Sequence, residues 1–363
     1  MLRRMILALI IVAVLSSCNN GQNTSTEDTT VSEQPTATQI EETTTLPTET
    51  EPEIIVKEGV PSPISGLYYP QELTELRPVA VVFDNHPSSR WQAGISKAEI
   101  VYECEVEGPF TRYLAVFLSE APEHIGPVRS ARPYFLTFAL EFDAVFVHVG
   151  GSNEALRNIR DYQMANISGM TSGEFWRYYK TGKEAPNNMY TAMKNIRSAQ
   201  SYMNYRQAGN YESWNFSEDQ YPLSDVYDSK SVNSFSITYN ENYNVRYDFN
   251  EDMGKYNRYV NDKQQVDEYY EDEIMATNII IQKLKKAVLD NEGRLALYNI
   301  SKGEGYYISN GEMIEISWEK TGIRSRTVYT DKNGNEILLN PGQTWIQVIS
   351  QNSILGFEES LDG

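Results

Sequence analysis

Two arginines three residues apart, Arg129 and Arg132 in IGPVRSARPYF (residues 125–135), lie in an otherwise apolar neighbourhood. A run that reads as strand precedes them and one that reads as helix follows. The unpaired N–H groups and dipole of a helix start favour an anion. Two guanidinium forks added there suit phosphate, pyrophosphate or carboxylate. The alternative is internal pairing with Glu103, Glu105 or Glu107, which a hairpin could bring nearby. Asp84-Asn85-His86 follows an earlier strand, at the kind of strand end where α/β folds carry ligands. Asp84 could hold Mg²⁺ through water or act as a base, and His86 could move a proton; these are the candidate catalytic residues. Gly150-Gly151-Ser152-Asn153 follows another strand. It could offer backbone N–H groups to an anion, or make a tight turn with Ser152 or Asn153 as helix cap. His148, alternating within AVFVHV, reads as a core or pocket-wall residue. The candidate ligand-binding set is Arg129, Arg132, His148, Gly150, Gly151 and Ser152.

Other chemistries find less support. The three histidines, His86, His124 and His148, lack the spacing of a zinc site, so no metal is expected beyond that optional Mg²⁺ and no other cofactor is implied. No Gly-x-Ser-x-Gly elbow occurs, and neither cysteine pairs with a histidine as a nucleophile would. Whether the chain is an enzyme stays open. Asp331 to Glu336 looks like a calcium loop but reads better as an Asn-Gly hairpin turn. Trp176, Trp318, Trp345 and the 25 tyrosines could stack on sugars, although scattered aromatics are usually packing.

The elements that must position these residues follow from periodicity. Arg77 to Asn85, Glu99 to Val106, Thr111 to Leu118 and Ala144 to Val149 read as strands. Ser130 to Glu141 reads as a helix, Gly150-Gly151-Ser152-Asn153 leads into another through about Arg160, and Asn188 to Ala208 could be helical. The order predicts an α/β (α+β) N-terminal domain with a mixed sheet over residues 61–211. Strands expected at 234–239, 244–249, 255–260, 274–287, 294–300, 303–308, 312–319, 326–330, 336–339 and 344–348 predict a smaller β-rich C-terminal domain over 228–355. The boundary is placed near 212–230.

The chain begins MLRRMILALIIVAVLSSCNN. Arg3 and Arg4 precede an apolar stretch, Met5 to Leu15, too short for a span that needs about 20 residues. Leu15-Ser16-Ser17-Cys18 resembles the lipobox of bacterial lipoproteins, in which the cysteine is acylated. Residues 1–18 are therefore expected to be a signal peptide, Cys18 the lipid attachment site, and the protein to sit on the extracytoplasmic face of the cell membrane. Residues 19–60, rich in Thr, Glu and Pro, are expected to form a disordered acidic tether reaching roughly 35 Å. The formal net charge of −19 disfavours nucleic acid as a partner. With Cys18 acylated, Cys104 has no disulfide partner and the fold must rest on its core.

The stretches RPVAVVFDNHPSSRWQAGISKAEIVYECEVEGPFTRYLAVF, IGPVRSARPYF and FDAVFVHVGGS resemble the YerB-like lipoproteins of Gram-positive bacteria. GEGYYISNGEMIEISWEK and ILLNPGQTWIQVI resemble the second module of that family. The resemblance covers about residues 63–350 and implies two modules of unknown function on a lipid-anchored protein. Relatives usually carry Pro-His-Asn where this chain has Pro186-Asn187-Asn188. Asp84, Glu99, Arg129 with Arg132, and Gly150-Gly151 also follow the order of features around the polyprenyl pyrophosphate of LytR–CpsA–Psr phosphotransferases. Three functions are thus in view: binding an anionic cell-envelope ligand, a non-catalytic scaffold for envelope enzymes or cell-wall polymer, and phosphoryl transfer.

Overall fold

The computed structural model describes residues 57–358. The expected signal peptide with Cys18, and the expected tether up to residue 56, lie outside the described residues. The first part of the fold comprises β1 (Val79–Asp84), β2 (Ile100–Glu105), β3 (Thr111–Phe117), α1 (Pro133–Glu141), β4 (Val145–His148), α2 (Asn153–Asp161), β5 (Asn166–Ser168) and α3 (Met193–Tyr202). The remainder is almost entirely strand: β6 (Lys230–Ser231), β7 (Ser234–Asn240), β8 (Tyr243–Asn250), β9 (Lys255–Val260), β10 (Asn278–Leu284), β11 (Lys302–Ser309), β12 (Glu312–Glu319), β13 (Val328–Thr330), β14 (Thr344–Ser350) and β15 (Ile354–Glu358). The expected mixed sheet with helices, followed by a β-rich part, is what forms.

Both parts contribute to one eleven-stranded sheet, in the order β6-β12-β11-β10-β14-β2-β3-β1-β4-β5, with β13 also on β12. The seam is β14, which runs parallel to β10 on one side and to β2 on the other. β1, β2 and β3 are buried on both faces, so they read as near-continuous apolar runs. Ala80, Val82, Ile100, Tyr102, Leu114 and Val116 pack on the face covered by α1. Val79, Val81, Phe83, Val101, Tyr113 and Phe117 pack on the other, beneath α3 and a six-stranded sheet built on β9-β8-β7-β15.

Two buried ion pairs tie the early strands and helix to the later strands. Glu103 on β2 and Arg258 on β9 are both fully buried, with NH2 to Oε2 at 2.5 Å. Thr111 and Tyr243 hydroxyls donate to Glu103 Oε1 at 2.7 and 2.5 Å, and the guanidinium lies 4.3 Å from the Trp345 ring centre. Glu141, ending α1, accepts from Lys320 Nζ at 3.0 Å, from Thr327 N and Oγ1, and from the Tyr102 hydroxyl. Charges so placed are tolerated only because partners occupy their polar atoms.

Several element bounds shifted. The helix expected from Ser130 begins at Pro133, because residues 128–131 run extended beside β1: Arg129 N donates to Val82 O at 2.8 Å and Ala131 N to Gly150 O at 3.0 Å. Proline at the first helical position lacks an N–H that would have no intrahelical partner there. The strand expected over 274–287 breaks into Met275–Ala276, β10 and Lys286–Val288. Residues 336–339 make only isolated bridges, and β15 was not anticipated. Among the described residues no helix is long and apolar enough to cross a membrane.

Removing one member of a buried pair leaves the other charge uncompensated. Arg258→Met should therefore lower unfolding stability by about 3–5 kcal/mol. Arg246→Met, at a half-exposed pair with Asp248, should cost under about 1 kcal/mol. Urea denaturation of the two variants tests this; equal losses would contradict it.

Candidate functional site

Three arginines and two carboxylates meet where β1 and β3 approach the 128–132 segment. Register sets Asp84, the last residue of β1, directly opposite Arg112 on β3. Alternation points both toward the α1 side, the face of Val82 and Leu114. Arg129 Nε lies 3.1 Å from Asp84 Oδ2 but out of line for a hydrogen bond, so the contact is one of charge. Asp84 Oδ2 also accepts from Ser89 Oγ at 2.7 Å, and Oδ1 from His86 N at 3.2 Å. Arg132 is held by Glu107 through two bonds, Nε to Oε1 at 2.5 Å and NH2 to Oε2 at 2.6 Å. Burial alone would push the Glu107 carboxyl up; its bonds to Arg132 outweigh that and hold it below the usual range. Each arginine singled out in the sequence thus has a carboxylate, and for Arg132 it is one of the three glutamates named above.

Arg112 has none. It is nine-tenths buried, NH1 donates to Ser130 O at 3.1 Å, and Nε makes no hydrogen bond. Burial, then the Arg132 charge, lower its pKa to about 10, so it remains a cation at neutral pH. The corner therefore carries one cation more than it has carboxylates. Sequence reading passed over Arg112, although a charge inside the apolar run TRYLAVF was a visible signal. Ser130, whose carbonyl accepts from Arg112, also lines an open depression of about 490 Å³ with Glu107, Arg132, Gly151, Ser152, Asn153, Glu292 and Arg294; Arg112 and Arg129 lie behind that wall and do not line it.

The other expected site residues divide. His86 is half-buried near this corner, its Nδ1 accepting from Ser88 N at 3.1 Å and its ring 4.7 Å from Phe110. Gly150, at φ +70°, makes the turn after β4, and Gly151 packs where a Cβ would meet Ala131 at 3.1 Å. Ser152 Oγ accepts from Ala155 N at 3.2 Å, capping α2. His148 is buried, with Nδ1 donating to Gly150 O at 2.7 Å, and burial lowers its pKa. It braces the turn after β4. Asp84 has no cluster to complete a metal site; among the described residues no group of three His, Cys, Asp or Glu could hold an ion. Glu99 stands at the opposite end of β2, near Val116, so the order shared with the phosphotransferases does not assemble in space. Asn188 is buried, its side chain bonded to Lys183 O and Arg177, and neither it nor Asn187 is a partner of Arg112, Arg129 or Arg132. Trp318 and Trp345 are core residues.

The chain matches two family descriptions: "Protein of unknown function (DUF3048) N-terminal domain" over residues 64–206, and its C-terminal counterpart over 235–346. It is 34% identical over 306 residues to "Putative lipoprotein YerB" of Bacillus subtilis (strain 168), covering 79% of this chain and 86% of that one. The chain belongs to the YerB family. A crystal structure of the YerB protein from Bacillus subtilis superimposes with a TM-score of 0.74 at 31% identity, covering 82% of this chain and 99% of that one. A membrane-anchored lipoprotein fits these relatives. The arginine corner falls within the first matched segment of the YerB family.

Because the fold lowers the His148 pKa, its stabilising effect is full above the unfolded value near 6.5 and declines as pH falls through the lowered folded value. Wild-type protein should lose more stability between pH 7.5 and 5 than His148→Gln does. Parallel pH profiles in urea melts would contradict this.

Proposed function

We propose that this YerB-family chain is a lipoprotein anchored through Cys18 on the extracytoplasmic face of the membrane, and that the arginine corner binds an anionic cell-envelope ligand. The observation that carries the reading is Arg112, a buried guanidinium without a carboxylate between two arginines that have one. A phosphate or carboxylate oxygen that entered the depression and reached past Ser130 would supply the missing counter-charge. Arg129, with no hydrogen bond from its terminal nitrogens among the described residues, is free to turn one fork edge toward the same anion. Ser130, Gly151 and Ser152 form the polar wall. With Glu99 at the far end of β2 from Asp84 and the arginines, the arrangement supports binding better than phosphoryl transfer.

Thermal melts of the full chain with pyrophosphate, a prenyl pyrophosphate or a muropeptide test it. A ligand at about 100 times its Kd should stabilise by roughly 2.7 kcal/mol. Arg129→Ala and Arg112→Lys should each weaken that ligand by about tenfold or more. No stabilisation by any of the three, with variants that melt lower in their absence, would make the arginines structural and favour a scaffold that binds envelope proteins.

A further inference from the structure

Trp318 and Trp345 lie in the core, but Trp176 stands half-exposed in a surface cluster of rings that both matched segments build. The first segment supplies His124, Trp176 and Tyr178, and the second supplies Tyr269 and Tyr270. His124 is at the centre. Tyr269 stacks on it at 3.9 Å between ring centres, while Trp176 and Tyr178 meet it edge-on at 5.6 and 5.2 Å. Tyr270 stands nearly perpendicular to Tyr269 at 5.0 Å. Tyr269 is 38% exposed, and Trp176, Tyr178 and Tyr270 are half-buried. Single exposed rings need no explanation, but contiguous ones mark an interaction site.

The rings are held from beneath. Trp176 pairs across a two-stranded ribbon with Tyr190, whose hydroxyl donates to Glu268 Oε2. The buried Lys183 Nζ donates to Glu268 Oε1 at 2.5 Å and to Trp91 O at 2.6 Å. Asp267, fully buried, accepts from Tyr269 N and Tyr270 N at 3.0 and 3.1 Å through one oxygen, and from Ser96 N at 3.0 Å through the other. Glu123 N donates to the Tyr270 hydroxyl at 2.9 Å, and the Tyr269 hydroxyl donates to Glu123 Oε2 at 3.2 Å. Rings fixed in advance lose little freedom when a ligand settles on them.

Charge and shape narrow the occupant. The charged groups around His124 are Glu123, Lys180 and Glu268. Glu268 is matched by Lys183, which leaves one carboxylate and one lysine, so neither an anion nor a cation is favoured. A quaternary ammonium would need the space between the rings, and the His124 imidazole fills it. What remains is an uncharged ligand with flat apolar faces and a polar rim. A pyranose has that form. Its C–H bonds make a face that stacks on a ring. Its hydroxyls can reach the Trp176 Nε1–H and the Tyr178 hydroxyl, neither of which has a protein partner among the described residues. We infer that this aromatic platform binds a neutral oligosaccharide, with sugar rings stacked on Trp176 and Tyr269. The site is separate from the arginine corner and does not rest on it.

Calorimetric titration of the full chain with chitotetraose, a flat β-linked chain, and with maltotetraose, a curved α-linked one, tests this and tells the two shapes apart. At least one should bind with a Kd of about 1 mM or tighter. Trp176→Ala should weaken it about tenfold or more, and so should Tyr269→Ala. Tyr269→Phe, which keeps the ring, should stay within about threefold of wild type. Should Trp176→Ala fail to fold, Tyr269→Ala still decides, because its turn is held by backbone bonds to Asp267. Choline is the cationic control and should not compete. Absence of binding by both sugars, equal binding by the alanine variants, or displacement of the sugar by choline would overturn the inference.

Discussion

A guanidinium sealed inside a protein must be matched atom by atom, and Arg258 imposes that demand on both parts of this chain. Its counter-ion, Glu103, comes from a strand more than 150 residues earlier, and its flat face rests on Trp345 from the strand that closes the seam. Tyr247 and Gln265 take further donors. The Gln265 amide donates to Gln92 Oε1, and the Gln92 amide to Asp84 O, so the network extends to the end of β1. Pairing of this kind adds little net stability compared with an apolar core, but any arrangement that separates the partners is heavily penalised. The position of one sheet on the other is thereby specified.

That constraint fixes the ends of β1, β2 and β3, and the two ends differ in charge. At one, Asp84, Arg112, Arg129 and Arg132 gather with a surplus of positive charge. At the other, Glu99 begins β2 beside a cavity with a surplus of negative charge. A strand of six residues spans roughly 20 Å, so the two groups interact little through water and salt. A chain strongly acidic in total can therefore hold an anion-seeking corner.

How much was legible in the sequence varies with how local the cause was. The strands VAVVFD and TRYLAVF and the Ser152 cap follow from neighbouring residues, and they formed close to where local pattern put them. Alternation along EIVYECEV is also a local property, and Ile100, Tyr102 and Cys104 do share one buried face. It gave no sign that the Glu103 face is buried, because the covering residue, Arg258, lies in another part of the chain. Pairing of Arg132 with Glu107 was one of several options, since three glutamates were near in sequence and only the hairpin's reach chose among them.

By itself the sequence determined the class of each segment, the family, and the apolar runs that must lie inside, because these depend on composition and spacing along a few residues. Tertiary structure alone decided that β14 joins the C-terminal strands to β2, that Arg112 is left without a carboxylate, and that Glu99 faces away from the arginines. Each of those is a matter of which distant residue arrives opposite which. Strand order and register set that, and no local propensity encodes them.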